Sequence, residues 1–281
     1  MKTGIVDVGG GFRGIYAAGV FDYCMDHEIC YDLCIGVSAG SANISSFLSG
    51  QRGRNYQFYS EYSFRKEYMG LKNFIFKKSY IDMDYLYGTL SNSTGENPLD
   101  YEKVLANPAE MLVVATNALT GKVEYFGKED MKQDDYSILK ASCAIPFVCR
   151  PYEIKGIPYY DGALGDSVPI EKAMEWGCDK VVVILTKPEA VVRDPKRDIQ
   201  FAKGIQKKYP MAAESLRKRA EHYNEKVALA KKYREEGRVL IISPDDTCGV
   251  DTLTRDREAL KRFYEKGYQD GKKILEFLSE A

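Results

Sequence analysis

Apolar positions recur along this chain with two rhythms, and the change from one to the other marks its elements. The opening run "GIVDV" is β-branched and breaks into the glycine loop "GGGFRG", whereas the following "IYAAGVFDYCM" is apolar on nearly every side. This predicts a strand, a tight loop and a buried helix. The run "YDLCIGVS" predicts a second strand, and "AGSANISSFLSG" a helix that starts on small residues and stops at Gly50. Two strands joined by a helix imply a parallel pair with a right-handed crossover, so the loops after both strands share one edge of the sheet. Gly9 to Gly14 are therefore expected beside Ser38.

Farther along, "EMLVVATNALTGKVEYF" reads as strand, turn and shorter strand, and "IPYYDGA", "KVVVILT" and "RVLIISP" as further strands. A βαβ start followed by β-rich stretches predicts an α/β fold with mixed sheet edges. Leu216, Ala220, Tyr223, Val227, Ala230 and Tyr233 form the stripe of an amphipathic helix. Leu260, Phe263, Tyr264, Gly267, Gly271, Ile274, Leu275 and Leu278 mark a closing helix. The expected division is residues 3–185 against a mainly helical region 186–281, which adds one strand near 238–243 and packs on the same fold.

Charge alters this picture only locally. The formal net charge is −1, so nothing global favours nucleic acid as a partner. Residues 203–238, however, hold eleven basic and five acidic residues, a local excess of six. A basic amphipathic helix can lie on an anionic membrane or pack, solvated, on its own domain. Seven scattered cysteines and a start without a long apolar run predict a reducing, cytoplasmic setting, with peripheral membrane contact as an option. No run approaches the ~18 apolar residues of a spanning helix. Cys24, His27, Cys30 and Cys34 carry metal-ligand side chains, but they cross a helix end, a loop and a strand; buried thiols are expected there, not a metal.

The chemistry is concentrated in three short motifs. Gly36-Val37-Ser38-Ala39-Gly40 stands between a strand and a helix, the context of a nucleophile elbow, where small neighbours let the serine oxygen stand clear. Gly9-x-Gly11-x-x-Gly14 also occurs in dinucleotide sites, but there the second strand ends in an acidic residue, and here it ends in Ser38. Consecutive glycines at a helix start can instead aim backbone N–H groups at an oxyanion. Arg13 could orient a substrate phosphate or carboxylate, or pair with a structural carboxylate. The chain has two histidines, His27 and His222, and neither follows a strand near this cleft. A carboxylate after a strand is the alternative base, and Asp161 of "YYDGALGDSVP" occupies such a position, with Gly162 and Ala163 behind it.

Together "DVGGGFRG", "GVSAG" and "DGA" resemble the glycine loop, nucleophile elbow and catalytic aspartate element of the patatin-like phospholipases. The similarity to their bacterial branch runs over about residues 3–185. The resemblance implies a three-layer α/β/α sandwich with a mostly parallel central sheet. It also implies a lipid acyl hydrolase without a catalytic histidine or a cofactor: Ser38 as nucleophile, Asp161 as general base, and the amides of Gly9, Gly10 and Gly11 as oxyanion donors. Phospholipids and other acyl esters are the substrates it suggests. An acyltransferase with the same dyad and a catalytically silent lipid-binding module are the competing readings. The eleven aromatics between Tyr56 and Tyr87 then read as an acyl-pocket lining or as a cover packed on the core.

Overall fold

The computed structural model describes residues 1–279. Eight strands form one sheet: β1 (Thr3–Asp7), β2 (Leu33–Val37), β3 (Glu110–Asn117), β4 (Val123–Phe126), β5 (Tyr152–Ile154), β6 (Ile157–Asp161), β7 (Lys180–Ile184) and β8 (Val239–Ile242). Their order is β5-β6-β3-β2-β1-β7-β8, with β4 also paired to β3. The pairs β1–β2, β1–β7, β2–β3 and β7–β8 are parallel, and β3–β4, β3–β6 and β5–β6 are antiparallel. The expected α/β architecture is thus present, a mostly parallel sheet with an antiparallel margin.

Side-chain alternation divides the core. Ile5, Cys34, Met111, Val113, Val182 and Ile184 face one layer, and Val6, Ile35, Val37, Val114, Val181 and Val183 the other. Strands buried on both faces read as continuous apolar runs, and that is how β1, β2 and β7 appear in the sequence. The helix Pro210–Glu235 closes the second face through Val227 and Ala230. On the first face, α1 (Gly14–Asp26) packs on the helix Arg257–Asp270. Their backbones meet at two glycines. A Cβ on Gly19 would stand 2.1 Å from the Tyr264 carbonyl, and one on Gly267 1.9 Å from that of Tyr16.

Two expectations need adjustment. The closing helix is two helices, Arg257–Asp270 and Lys273–Ser279, interrupted at Gly271, which lies against the Tyr23 ring. The strand at "IPYYDGA" is half of a hairpin whose first strand, β5, is only three residues long and too short to show a pattern of its own.

Candidate active site

The sheet topology brings two loop ends together. β2 and β6 both pair with the edge of β3 opposite β4: Val37 is opposite Val114, and Asp161 is opposite Ala115. The strands run toward each other, β2 parallel and β6 antiparallel to β3, so they end at adjacent register positions. Ser38 and Asp161 are the residues at that junction.

Ser38 joins β2 to α2 (Ala39–Leu48) with φ 56° and ψ −130°, a backbone that a serine adopts at a cost of about 1–3 kcal/mol. The surroundings hold it there. Its N–H donates to Ser142 Oγ at 2.9 Å, and its carbonyl accepts from Ser41 Oγ at 2.6 Å. The flanking glycines are required by close approach: a Cβ on Gly36 would stand 2.5 Å from the Cα of Ser41, and one on Gly40 2.3 Å from the Asp7 carbonyl. Asp161 is 2% exposed. Its N–H donates to the Ala144 carbonyl at 3.0 Å, and its Oδ1 accepts from the Ala163 N–H at 2.8 Å. Burial raises its pKa above the ordinary carboxylate range, against the opposing pull of the Ser38 side chain, the Ala163 amide and the more distant Arg219 and Arg193.

Beside the serine runs the glycine loop, with φ 64°, 123° and 63° at Gly9, Gly10 and Gly11. It leads through a short turn into α1, whose first residue is Gly14. The Gly9 N–H is committed to Asp7 Oδ1 at 2.9 Å. The amides of Gly10 and Gly11 have no hydrogen-bond partner among the described residues. Asp7, fully buried at the end of β1, also accepts from Asn43 Nδ2 at 2.8 Å, and burial pushes its pKa up to about 6. Sequence reasoning gave no role to Asp7 or Asn43, because their contact spans 36 residues and follows no short motif.

Ser38 lies where two cavities meet. One is an apolar slot of about 680 Å³ with its mouth, lined by Phe12, Phe58, Tyr59, Tyr68, Met83 and Tyr87 among others. Within the aromatic-rich segment, four aromatics therefore line a cavity while Tyr62 packs in the core. Arg54 also lines the slot; its guanidinium donates to Ser46, Ser91 and the Asn97 carbonyl. The other cavity is an open cleft of about 1630 Å³ with its solvent-open mouth and a mixed lining: Gly9, Gly10, Gly11, Asp161, several cations, and apolar residues such as Val148 and Phe201. Arg13 is one of the cations and pairs with Asp251 at 2.5 Å and with Thr252 Oγ1 at 2.9 Å.

A profile described as "Patatin-like phospholipase" matches residues 8–174, more than half of the chain. The chain belongs to the patatin-like phospholipase family. A second profile, described as a domain of unknown function (DUF6363), matches residues 209–281. The chain is similar to the uncharacterized protein YjjU of Escherichia coli K12, with 29% identity over 210 residues, 69% of this chain and 55% of that protein. It thus spans little more than half the length of this curated relative. The fold is similar to that of VipD from Legionella pneumophila, with a TM-score of 0.51 and 14% identity over 98% of this chain and 67% of the other. That likeness concerns the fold alone. The patatin-like profile covers the glycine loop, Ser38 and Asp161, and ends before the cations that line the far wall of the cleft.

His27 is exposed and stacks on Tyr23, and neither histidine lines either cavity. Cys24 and Cys34 are buried, Cys30 is exposed, and no cluster of three metal-ligating side chains is found among the described residues. The basic segment 203–238 spends much of its charge internally. Arg217 and Lys218 pair with Glu214, Arg219 with Asp198, Lys226 with Glu171, and Lys231 and Arg234 with Glu189. No described helix is long and apolar enough to cross a membrane.

Proposed function

We propose that this protein is a serine acyl-ester hydrolase of the phospholipase A or lysophospholipase type, acting on lipids through Ser38 and Asp161. The observation that carries the reading is their meeting on one edge of β3, between an apolar slot and an open cleft that also holds several cations. Membership in a lipid hydrolase family supports it. Ser38 Oγ attacks the ester carbonyl while Asp161 takes its proton, which burial makes the carboxylate better able to do. The amides of Gly10 and Gly11 receive the oxyanion, and Gly9, tied to Asp7, holds the loop in place. Asp161 then returns the proton to the leaving alcohol, and water clears the acyl-enzyme by the same route in reverse. The acyl chain occupies the slot.

Lipid-surface contact is supported at a different place from the basic helix. The helix Leu71–Lys77 holds Leu71, Ile75 and Phe76 outward at 74%, 71% and 76% exposure, with Phe74 beside them. Lys72 and Lys78 flank this apolar face, which suits an anionic bilayer. The segment is bracketed by Tyr68 and Ile81, both of which line the slot.

A fluorophosphonate probe should label Ser38, and Ser38→Ala should lose labelling together with hydrolysis of acyl esters, by roughly 10⁵-fold. Equal labelling of the two proteins, or none of either, sinks the dyad. An acyltransferase would use the same residues, and competition between water and alcohol acceptors for the acyl-enzyme separates it from a hydrolase.

A further inference from the structure

The slot is not uniformly apolar: away from Ser38 it carries a charge. Ala39, Ala42 and Asn43 line it from one face of α2, at the i, i+3, i+4 spacing of neighbours on a helix surface. Arg54 lines it as well. Its Nη1 donates to Ser46 Oγ at 3.0 Å, and Ser46 stands eight residues beyond Ser38 along α2, a rise of roughly 12 Å. One cavity thus runs from the nucleophile to a guanidinium group.

That charge has no carboxylate. Among the described residues three arginines are buried; Arg13 pairs with Asp251 and Arg219 with Asp198, whereas Arg54 makes no ion pair. The ionisable groups around it are the phenols of Tyr87, Tyr136 and Tyr62. Three of its five N–H donors go to neutral acceptors: Ser46 Oγ, Ser91 Oγ at 2.9 Å and the Asn97 carbonyl at 3.1 Å. Its Nε is buried without an acceptor. The guanidinium lies over the Phe58 ring, 4.5 Å from the centroid, and that ring also lines the slot. Burial lowers the group only to about 10, so it stays charged at neutral pH. A brace between two serines and a carbonyl needs donors, not a permanent charge, and burying an unpaired charge is costly. An anion in the slot would compensate it and supply the missing acceptor.

We propose that Arg54 makes the slot a site for acyl groups that end in a carboxylate. The preferred ester is then a half-ester of a dicarboxylic acid, its far carboxylate on Arg54 while its ester carbonyl reaches Ser38. The inference rests on the dyad reading and specifies the acyl group. Hydrolysis of such an ester consumes water and releases the alcohol and the dicarboxylate. The methylenes between the two ends lie along Ala42 and Phe58. Chain length is selected by the separation of Ser38 and Arg54, a constraint that a methyl-ended chain does not sense.

The test uses aliphatic half-esters of dicarboxylic acids of increasing length on one alcohol, each paired with the methyl-ended ester of the same length. In wild type the ratio of kcat/KM, carboxylate-ended over methyl-ended, should exceed one and peak at an intermediate length. In Arg54→Met, which keeps the side chain's reach without its charge, the ratio at that length should drop roughly ten- to hundred-fold, mostly through KM, the size of one lost hydrogen bond to a charged group. Arg54→Lys restores the charge without the planar fork and should recover part of it. Wild-type preference for the methyl-ended ester at every length overturns the site, and that result needs no variant. A peak that survives in Arg54→Met moves the carboxylate to the cations of the cleft and overturns the role of Arg54. Fluorophosphonate labelling of Ser38, followed in every protein, keeps these results apart from a failure of the dyad: an unlabelled wild type fails the dyad, and a labelled one leaves the length series to judge the site alone.

Discussion

The two walls that flank Ser38 are built in opposite ways. The slot is made wholly by residues between Gly11 and Ile145, packed as a continuation of the core, and its lining is mainly apolar, with Asn43, Arg54 and Asn55 as its polar members. The cleft draws on distant parts of the chain, from Val8 to Leu253, and is held by charges that partly satisfy one another. Apolar burial shapes most of the first wall, with Arg54 held there by hydrogen bonds. Placing cations in the second demands carboxylate partners such as Asp198, because an unpaired buried charge is costly. The dyad stands at the seam, so the comparison can be tested by damaging the seam, then each wall separately.

Damage to the seam should have the largest effect and make no distinction between substrates. Asp161→Asn keeps the volume and can still accept from the Ala163 amide, but it has no proton affinity to offer Ser38. We expect kcat to fall roughly 10³- to 10⁴-fold on every ester, whatever its chain or head group. A loss confined to phosphate-bearing esters would make Asp161 part of the cleft wall and not the base. Ala42→Phe should act on the slot side alone. Ala42 lines the slot from α2, and a phenyl group there removes room for about three methylenes. At ~0.8 kcal/mol per methylene, kcat/KM for long-chain esters should drop roughly 50-fold. Short-chain esters should be spared, and an equal loss on both would show that the chain lies elsewhere. A smaller effect is expected at the slot's outer margin. Phe74→Asp combined with Phe76→Asp should weaken binding to anionic vesicles roughly ten-fold in a sedimentation assay. Turnover of a dispersed short ester serves as the control, and unaltered vesicle binding would remove this helix from the lipid contact.

The same contrast explains what the sequence reveals. Strands β1, β2 and β7 are legible because they are buried on both faces, and the βαβ rule puts the glycine loop beside Ser38 before any coordinate is known. The seam is legible because its geometry depends on local backbone, and local backbone needs particular small residues, as at Gly36 and Gly40. The cleft wall is not. Arg193, Asp198 and Arg219 lie on a loop and two helices, and nothing in their spacing announces that one carboxylate serves two guanidinium groups. The charge excess of residues 203–238 is visible in the sequence. That most of its cations turn back to Glu171, Glu189, Glu214 and Asp198 is a fact of packing. The exposed apolar face at Leu71–Lys77 was hidden in a different way: in a stretch rich in aromatics, pattern alone does not separate the rings that enter the slot from those left outside.

Acid should act beneath both walls at once, with opposite signs for stability and activity. Asp7 supports the glycine loop from below, and its folded pKa of about 6 lies above the 3.8 of an unperturbed aspartate. Between these values the folded chain keeps a proton that the unfolded chain has released, so this group's contribution to stability falls as pH rises through the window and is level above it. At ~1.4 kcal/mol per pKa unit, and less as the half-ionised point near 6 is reached, the step from pH 5 to pH 6 amounts to about 1 kcal/mol, visible as a lower urea midpoint at the higher pH. Asp161, also raised by burial, shifts stability in the same direction but must be ionised to accept the Ser38 proton. Hydrolysis should therefore rise with pH as Asp161 ionises, while the same ionisation makes the fold less stable. Asp7→Asn should flatten the stability curve while leaving the acid limb of the kcat profile in place, because that limb belongs to Asp161. If the limb moved with Asp7 instead, the carboxylate that supports the loop, and not the one at the end of β6, would be controlling the reaction.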